Sequence, residues 1–106
     1  KYEKEKNMCI NYAKAGYAIR HLGEVSGVSS SDVLCNRVKA DLKSTGSHNN
    51  ILKYAKKAIR EQGAKIVLFE FEKFNSSFIG EISRLKQLKI KGMYYIKGQE
   101  TKIINF

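Results

Sequence analysis

The 106-residue chain contains no proline, only two cysteines, and ten acidic residues against twenty lysines and arginines. Without proline, and without a serine- and glycine-rich linker, no internal domain boundary is visible, so a single domain over residues 1–106 is expected. Two cysteines do not make a disulfide framework, and no CxxC or Cys/His cluster supports a structural zinc site. Cys9 and Cys35 would pair only if their two elements pack side by side; as single residues they suit small buried apolar positions. No apolar run approaches the ~18 residues that cross a bilayer, and the first twenty residues hold no continuous apolar stretch of a signal peptide. No partner in a membrane is expected. The chain starts at Lys1, not Met, which suggests a piece of a longer protein.

The scarcity of acid leaves a formal net charge of +10 and a pI near 9.7 on a chain that is 42% hydrophobic. That combination fits a folded body with an anionic partner rather than a disordered basic arm. The excess is uneven. Residues 1–46 hold eight basic and five acidic side chains, a net of +3; residues 47–106 hold twelve and five, a net of +7.

Along the chain, Cys9, Tyr12, Ala13, Gly16, Tyr17 and Ile19 recur at helical spacing and predict a helix over 3–22, stopped by Gly23. Val33, Leu34, Val38 and Leu42 predict a second helix over 31–43, capped by Ser29, Ser30 or Ser31 and closed by Gly46. Ile51, Leu52, Ala55, Ala58 and Ile59 make a clear apolar stripe from Asn50 to Gln62, with Gly63 as a left-handed cap. Lys65–Glu72 is β-branched and aromatic, and is expected as a central strand. Ser76 or Ser77 caps a fourth helix ending near Leu88, and Gly92–Lys97 with Thr101–Phe106 reads as a hairpin. The order predicts an α+β fold: N-terminal helices, then a small mixed sheet of about three strands with a crossover helix.

The cationic face of the third helix, Lys53, Lys56, Lys57 and Arg60, is a candidate for binding phosphates. Tyr94 and Lys97 are candidates beside it, and Tyr54 and Met93 also lie among lysines. Cations interleaved with aromatics suit single-stranded nucleic acid, where phosphates pair with the former and bases stack on the latter. No RRM, KH or zinc-knuckle signature accompanies them, and the glycines form no phosphate loop.

For chemistry, His21 is explained by a helix C-terminus, where a cation complements the dipole. His48 stands in the polar loop Gly46-Ser47-His48-Asn49-Asn50 that opens the most basic helix. Alternation in the central strand puts Val67, Phe69 and Phe71 on one face and Glu70 and Glu72 on the other. A carboxylate in so apolar a strand is expensive unless paired or functional. The carboxylate-x-Lys spacing of restriction-type nucleases fails here, since Glu72 adjoins Lys73 and Phe71 lies two residues before it. No Asp or His supports Glu70 and Glu72 as a metal pair, so no metal and no other cofactor is expected. A metal-free ribonuclease requires a base for the 2′-hydroxyl, an acid for the leaving 5′-oxygen, and cations for the phosphorane. His48, Glu70 and Glu72 are the candidate catalytic residues, with Tyr95 or Thr101 as a hydroxyl donor. The alternatives are a non-catalytic RNA-binding module and a metal-dependent DNase.

The strand Lys65-Ile-Val-Leu-Phe-Glu-Phe, the helix Ile79-Gly-Glu-Ile-Ser-Arg-Leu-Lys, and Leu88-Lys-Ile-Lys-Gly-Met-Tyr-Tyr-Ile-Lys-Gly together resemble the C-terminal toxin domains of bacterial polymorphic toxins. Over about the last 60 residues they are similar to the tRNA-cleaving domains of CdiA proteins in contact-dependent growth inhibition. The resemblance implies a monomeric, metal-independent ribonuclease, presented on the surface of one cell as part of a longer exoprotein. It would cleave tRNA in the cytoplasm of a neighbouring bacterium and be neutralised by a cognate immunity protein. Some such tRNases act with an elongation factor such as EF-Tu.

Overall fold

The computed structural model describes residues 2–22 and 32–106. Its elements are α1 (Tyr2–Lys14), β1 (Ile19–His21), β2 (Val33–Cys35), β3 (Val38–Thr45), α2 (Ile51–Arg60), β4 (Ile66–Phe71), α3 (Ser76–Gln87), β5 (Lys91–Ile96) and β6 (Ile104–Asn105). A 3-10 turn, His48–Asn50, leads into α2. The fold is α+β, and the six strands form one mixed sheet in the order β1-β2-β3-β4-β5-β6. The three central strands β3, β4 and β5 are parallel, and the outer pairings are antiparallel.

The two faces of the sheet carry separate cores. Ile51, Ala55 and Ala58 of α2, with Phe78, Ile82 and Leu85 of α3, pack on Val67, Phe69, Phe71 and Tyr94. Met8, Cys9 and Tyr12 of α1 pack on Ala40, Leu42, Leu68, Met93 and Tyr95. Helices therefore cover both faces of the parallel centre, as parallel strands require. The α2 stripe, the central strand and the crossover helix form as their sequence patterns predict; the closing pair is antiparallel as expected, but its second strand is only Ile104–Asn105 and not Thr101–Phe106. The cap of α3 is Asn75, whose side chain accepts from the backbone N–H of Ser77 and Phe78, in place of either serine.

The first half departs from expectation. Helix α1 stops at Lys14, where the chain turns through Gly16 at φ +102°, and Ile19–His21 is a strand. The helix expected over 31–43 is the hairpin β2–β3, so the sheet has six strands where about three were expected. Val33, Cys35, Ala40 and Leu42 are the hairpin residues buried on the α1 face, while Asp41 and Thr45 of β3 are buried on the other. Asn36 and Arg37 make its turn at φ +49° and +70°, both left-handed, the geometry of a type I′ hairpin. The expected stop at Gly23 and the serine caps at 29–31 lie outside the described residues. Cys9 and Cys35 are free thiols buried in the same core.

Gly92 answers to a close approach. A Cβ there would stand 2.0 Å from the Val67 carbonyl oxygen and 2.8 Å from the ring of Phe106. Its N–H and C=O both pair with Phe106, which lays the final ring over Phe69 and Tyr94.

Candidate active site

Ligands of open sheets with parallel strands gather at the carboxyl ends of those strands. Here those ends are Thr45, Phe71 and Ile96, followed by Gly46–His48, by Glu72 and by Lys97. The Thr45 hydroxyl shapes the first of these loops. It donates to the Ser47 carbonyl at 3.1 Å and accepts from the Ser47 N–H and from Asn50 Nδ2 at 3.0 and 3.2 Å. His48 is thereby held half-buried, with its ring edge-on to Phe78 at 6.4 Å.

Glu70 and Glu72 both lie on the α1 side of the sheet, as alternation predicts, but in unlike surroundings. Glu70 is 6% exposed and is the centre of a row across three strands, because Ser44, Glu70 and Tyr95 occupy matching register positions. Ser44 Oγ donates to Glu70 Oε1 at 3.2 Å, and the Tyr95 hydroxyl donates to Oε2 at 2.7 Å. Asn11 of α1 donates from Nδ2 to the Tyr95 oxygen at 3.1 Å. Burial pushes the Tyr95 phenol well above its ordinary pKa, with Glu70 reinforcing the shift, so it remains a donor throughout the physiological range. Tyr12 donates to the carbonyls of Phe69 and Met93 and is held protonated by burial in the same way.

Glu72 is exposed. Its Oε1 lies 3.3 Å from Lys4 Nζ, and its Oε2 occupies the space a Gly46 side chain would fill. Since His48 is two residues past Gly46, chain connectivity alone keeps their Cα atoms within about 7 Å. His48 and Glu72 thus both follow carboxyl ends of parallel strands, His48 against Phe78 on the α3 face and Glu72 against Lys4 on the α1 face.

Beside this end a cleft of about 260 Å³ opens against β3 and runs between α1 and α2. Ser44 lines it, so the Glu70 row reaches its wall; Lys4, Lys43 and Lys57 supply positive charge against the carboxylates of Glu5 and Asp32. Lys43 also stands 5.9 Å from the centre of the Tyr54 ring. Among the described residues, no three His, Cys, Asp or Glu side chains gather as a metal ion would need.

Of the cations expected on one binding face of α2, Lys57 lines this cleft, whereas Lys56 and Arg60 turn to a cavity at the far end of the sheet and Lys53 lines neither. Lys97 is exposed at the carboxyl end of β5, and Thr101 is exposed in the turn beyond it. Tyr94 corrects the stacking expectation: it is buried, with its ring flat on Phe74 at 5.4 Å and against Phe71, and presents no free face to a base. Tyr95 and Met93 are buried as well. Sequence reasoning missed Lys4, Asn11, Lys43 and Ser44, the last two because the hairpin that carries them has the apolar spacing of a helix.

His21 is not at a helix end but in β1, with Nε2 3.5 Å from Cys9 Sγ. This Cys/His contact joins residues twelve apart in sequence. It does not make a nucleophile: burial and the nearby carboxylates of Glu5 and Asp32 raise the Cys9 pKa, and a protonated thiol is a poor attacker.

The architecture is an open mixed α+β sheet with one polar row near its carboxyl end and a charged cleft beside it. The chain shares its fold with a solved complex, "CdiA-CT/CdiI toxin and immunity complex from Burkholderia pseudomallei", at a TM-score of 0.73. Identity is 17%, and the alignment covers 97% of this chain and 81% of that one. No family model and no curated protein matches the sequence.

Proposed function

We propose that this chain is a toxin domain of contact-dependent growth inhibition, a metal-independent endoribonuclease that cleaves tRNA and is blocked by a cognate immunity protein. The observation that carries the chemistry is the approach of Glu72 to Gly46, two residues from His48, near the Ser44–Glu70–Tyr95 row and a cleft with three lysines in its lining. The shared fold with a toxin solved bound to its immunity protein supports the biological setting. In that setting the domain is carried on a longer exoprotein and acts in the target cell's cytoplasm, and an elongation factor of the EF-Tu kind is a further partner to test there.

In this reading the exposed Glu72 carboxylate takes the proton of a ribose 2′-hydroxyl. The resulting oxygen attacks the adjacent phosphorus, and His48 protonates the departing 5′-oxygen. Lys4, Lys43 and Lys57 neutralise the charge that grows on the phosphorane. Glu70 touches no substrate: its two oxygens are occupied, and it fixes Ser44 at the cleft wall and Tyr95 beneath. Base, acid and cations are all side chains, so the step requires no metal.

The test is purified protein incubated with total tRNA, with and without EDTA, and resolved on a denaturing gel. Cleavage should survive EDTA, leave 2′,3′-cyclic phosphate ends, and fall at least 100-fold in Glu72→Gln and in His48→Ala. Intact tRNA would overturn the reading in favour of an RNA-binding module, and EDTA-sensitive cutting of DNA would replace it with a metal-dependent nuclease.

A further inference from the structure

Lys65 immediately precedes β4, Lys89 and Ile90 immediately precede β5, and Arg60 ends α2, so these residues meet at the amino end of the parallel strands. With Lys56 they surround a cavity of about 220 Å³ whose apolar part includes Leu88 and Ile90. No carboxylate lines it, and among the described residues none of the four cations lies within ion-pair distance of an acid.

Four like charges around one small cavity repel one another, so their grouping needs a reason. Arg60 has a local one, since it complements the carbonyl end of α2. Lys89, next to the carbonyl end of α3, shares that reason in part, whereas Lys65 follows no such rule. Lys89 has φ +60°, just past the end of α3, where glycine or asparagine is the usual residue. A lysine stands there at a conformational cost, and its charge joins the cavity.

We propose that this cavity is a second phosphate site, gripping the backbone of an RNA far from the bond that is cut. The proposal rests on the ribonuclease reading for its substrate, though not for its electrostatics. A concave cluster of one sign with apolar walls concentrates field on a small anion. Three of the four cations are lysines, which bind phosphate as point charges without demanding one geometry. The cavity accommodates one or two such groups, whereas a protein partner needs a face of about 800 Å².

The six residues of β4 put about 20 Å between this cavity and the Glu72 end. A trinucleotide, at about 3.4 Å per stacked residue, covers about 10 Å and cannot engage both. A folded RNA of tRNA size can. The cavity therefore selects for large structured substrates.

The experiment compares Lys65→Gln/Lys89→Gln with the parent. Both positions are exposed, and glutamine removes the charge while leaving a polar side chain. In a Glu72→Gln background, binding of a fluorescein-labelled tRNA transcript is followed by anisotropy over a salt series, with a labelled trinucleotide alongside. Affinity for tRNA should fall about tenfold and the log–log salt slope by about 2, while trinucleotide binding is unchanged. In the active protein, KM for tRNA should rise with kcat retained. An unchanged tRNA affinity and slope, or an equal loss for the trinucleotide, overturns the proposal. So does retained tRNA binding with lost binding of the immunity protein. A parent that cuts no RNA but shows the expected tRNA-binding defect overturns the ribonuclease reading and leaves the cavity standing.

Discussion

Tyr95 and Glu70 are direct partners across two parallel strands, and the phenol donates to the carboxylate at 2.7 Å in a region closed to water. A buried carboxyl group is tolerated there because each of its oxygens has a donor. Tyr95→Phe keeps the ring's packing and removes one donor. It should cost about 1.5–3 kcal/mol in urea unfolding. The same substitution in a Glu70→Gln background should cost clearly less, and equal costs in both backgrounds would mean that the hydrogen bond contributes nothing.

Asp41 is the carboxylate that folding treats worst. It lies buried on the opposite face from Glu70, with Lys43 at 3.1 Å. Burial, then the neighbouring Asp32, push its pKa up to about 7, against which Lys43 pulls only in part. Between about pH 4 and pH 7 the folded state therefore keeps a proton that the unfolded chain has released. Stability falls as pH rises through that window and levels off above it. Asp41→Asn should remove this dependence. Its advantage over the parent should be larger at pH 8 than at pH 5, by up to about 2.5 kcal/mol, in paired urea titrations. An advantage independent of pH would rule out Asp41 as the titrating group.

Gly92 is required by contact and not by dihedral freedom. The Cβ of an alanine would meet the Val67 carbonyl and the Phe106 ring, and backbone within a central parallel pair cannot move aside. Gly92→Ala should lose about 3 kcal/mol or more, or fail to fold. Gly80, with open space around it on α3, is the control: Gly80→Ala should stabilise by about 0.5–1 kcal/mol.

The two thiols share the α1 core without bonding each other, and burial raises both pKa values. Neither should react with a thiol reagent at neutral pH within minutes in the native state, and both should titrate after denaturation. Reducing agent should leave the melting temperature unchanged. A shift would reveal a disulfide.

The second half of the chain could be read because its signals agree with one another. Ile51, Ala55 and Ala58 fall on a helical stripe, Ile66–Phe71 is mostly β-branched and aromatic, and Gly63 and Gly98 both take positive φ where a helix or a strand ends. The first half misled because Val33, Leu34, Val38 and Leu42 satisfy a helical period by accident. What decides there is non-local: β3 adds to β4 from Ala40↔Ile66 to Thr45↔Phe71, a pairing across some 26 residues that no local window contains. The candidate site divides in the same way. Glu70 and Glu72 stood out because acid in an apolar strand is costly, and His48 because it opens a basic helix. Ser44, Asn11 and Lys4 have no local signature and acquire meaning only through the register of three strands and the placing of α1.

The hairpin that was hardest to see also contains an avoidable strain. A type I′ turn needs two left-handed residues, and the usual sequence marker is Asn-Gly. Here the pair is Asn36-Arg37, so the marker is absent and the turn is hidden. Arg37 at φ +70° pays the Cβ penalty of about 1–2 kcal/mol that glycine avoids, while glycine's extra freedom in the unfolded chain returns about 0.5–1 kcal/mol of that. Arg37 is exposed. Arg37→Gly should therefore stabilise the protein by about 0.5–1 kcal/mol in urea unfolding. Arg37→Val should do the opposite, since a β-branched residue resists this conformation most. If both variants destabilise equally, the side chain of Arg37 rather than its backbone holds the turn.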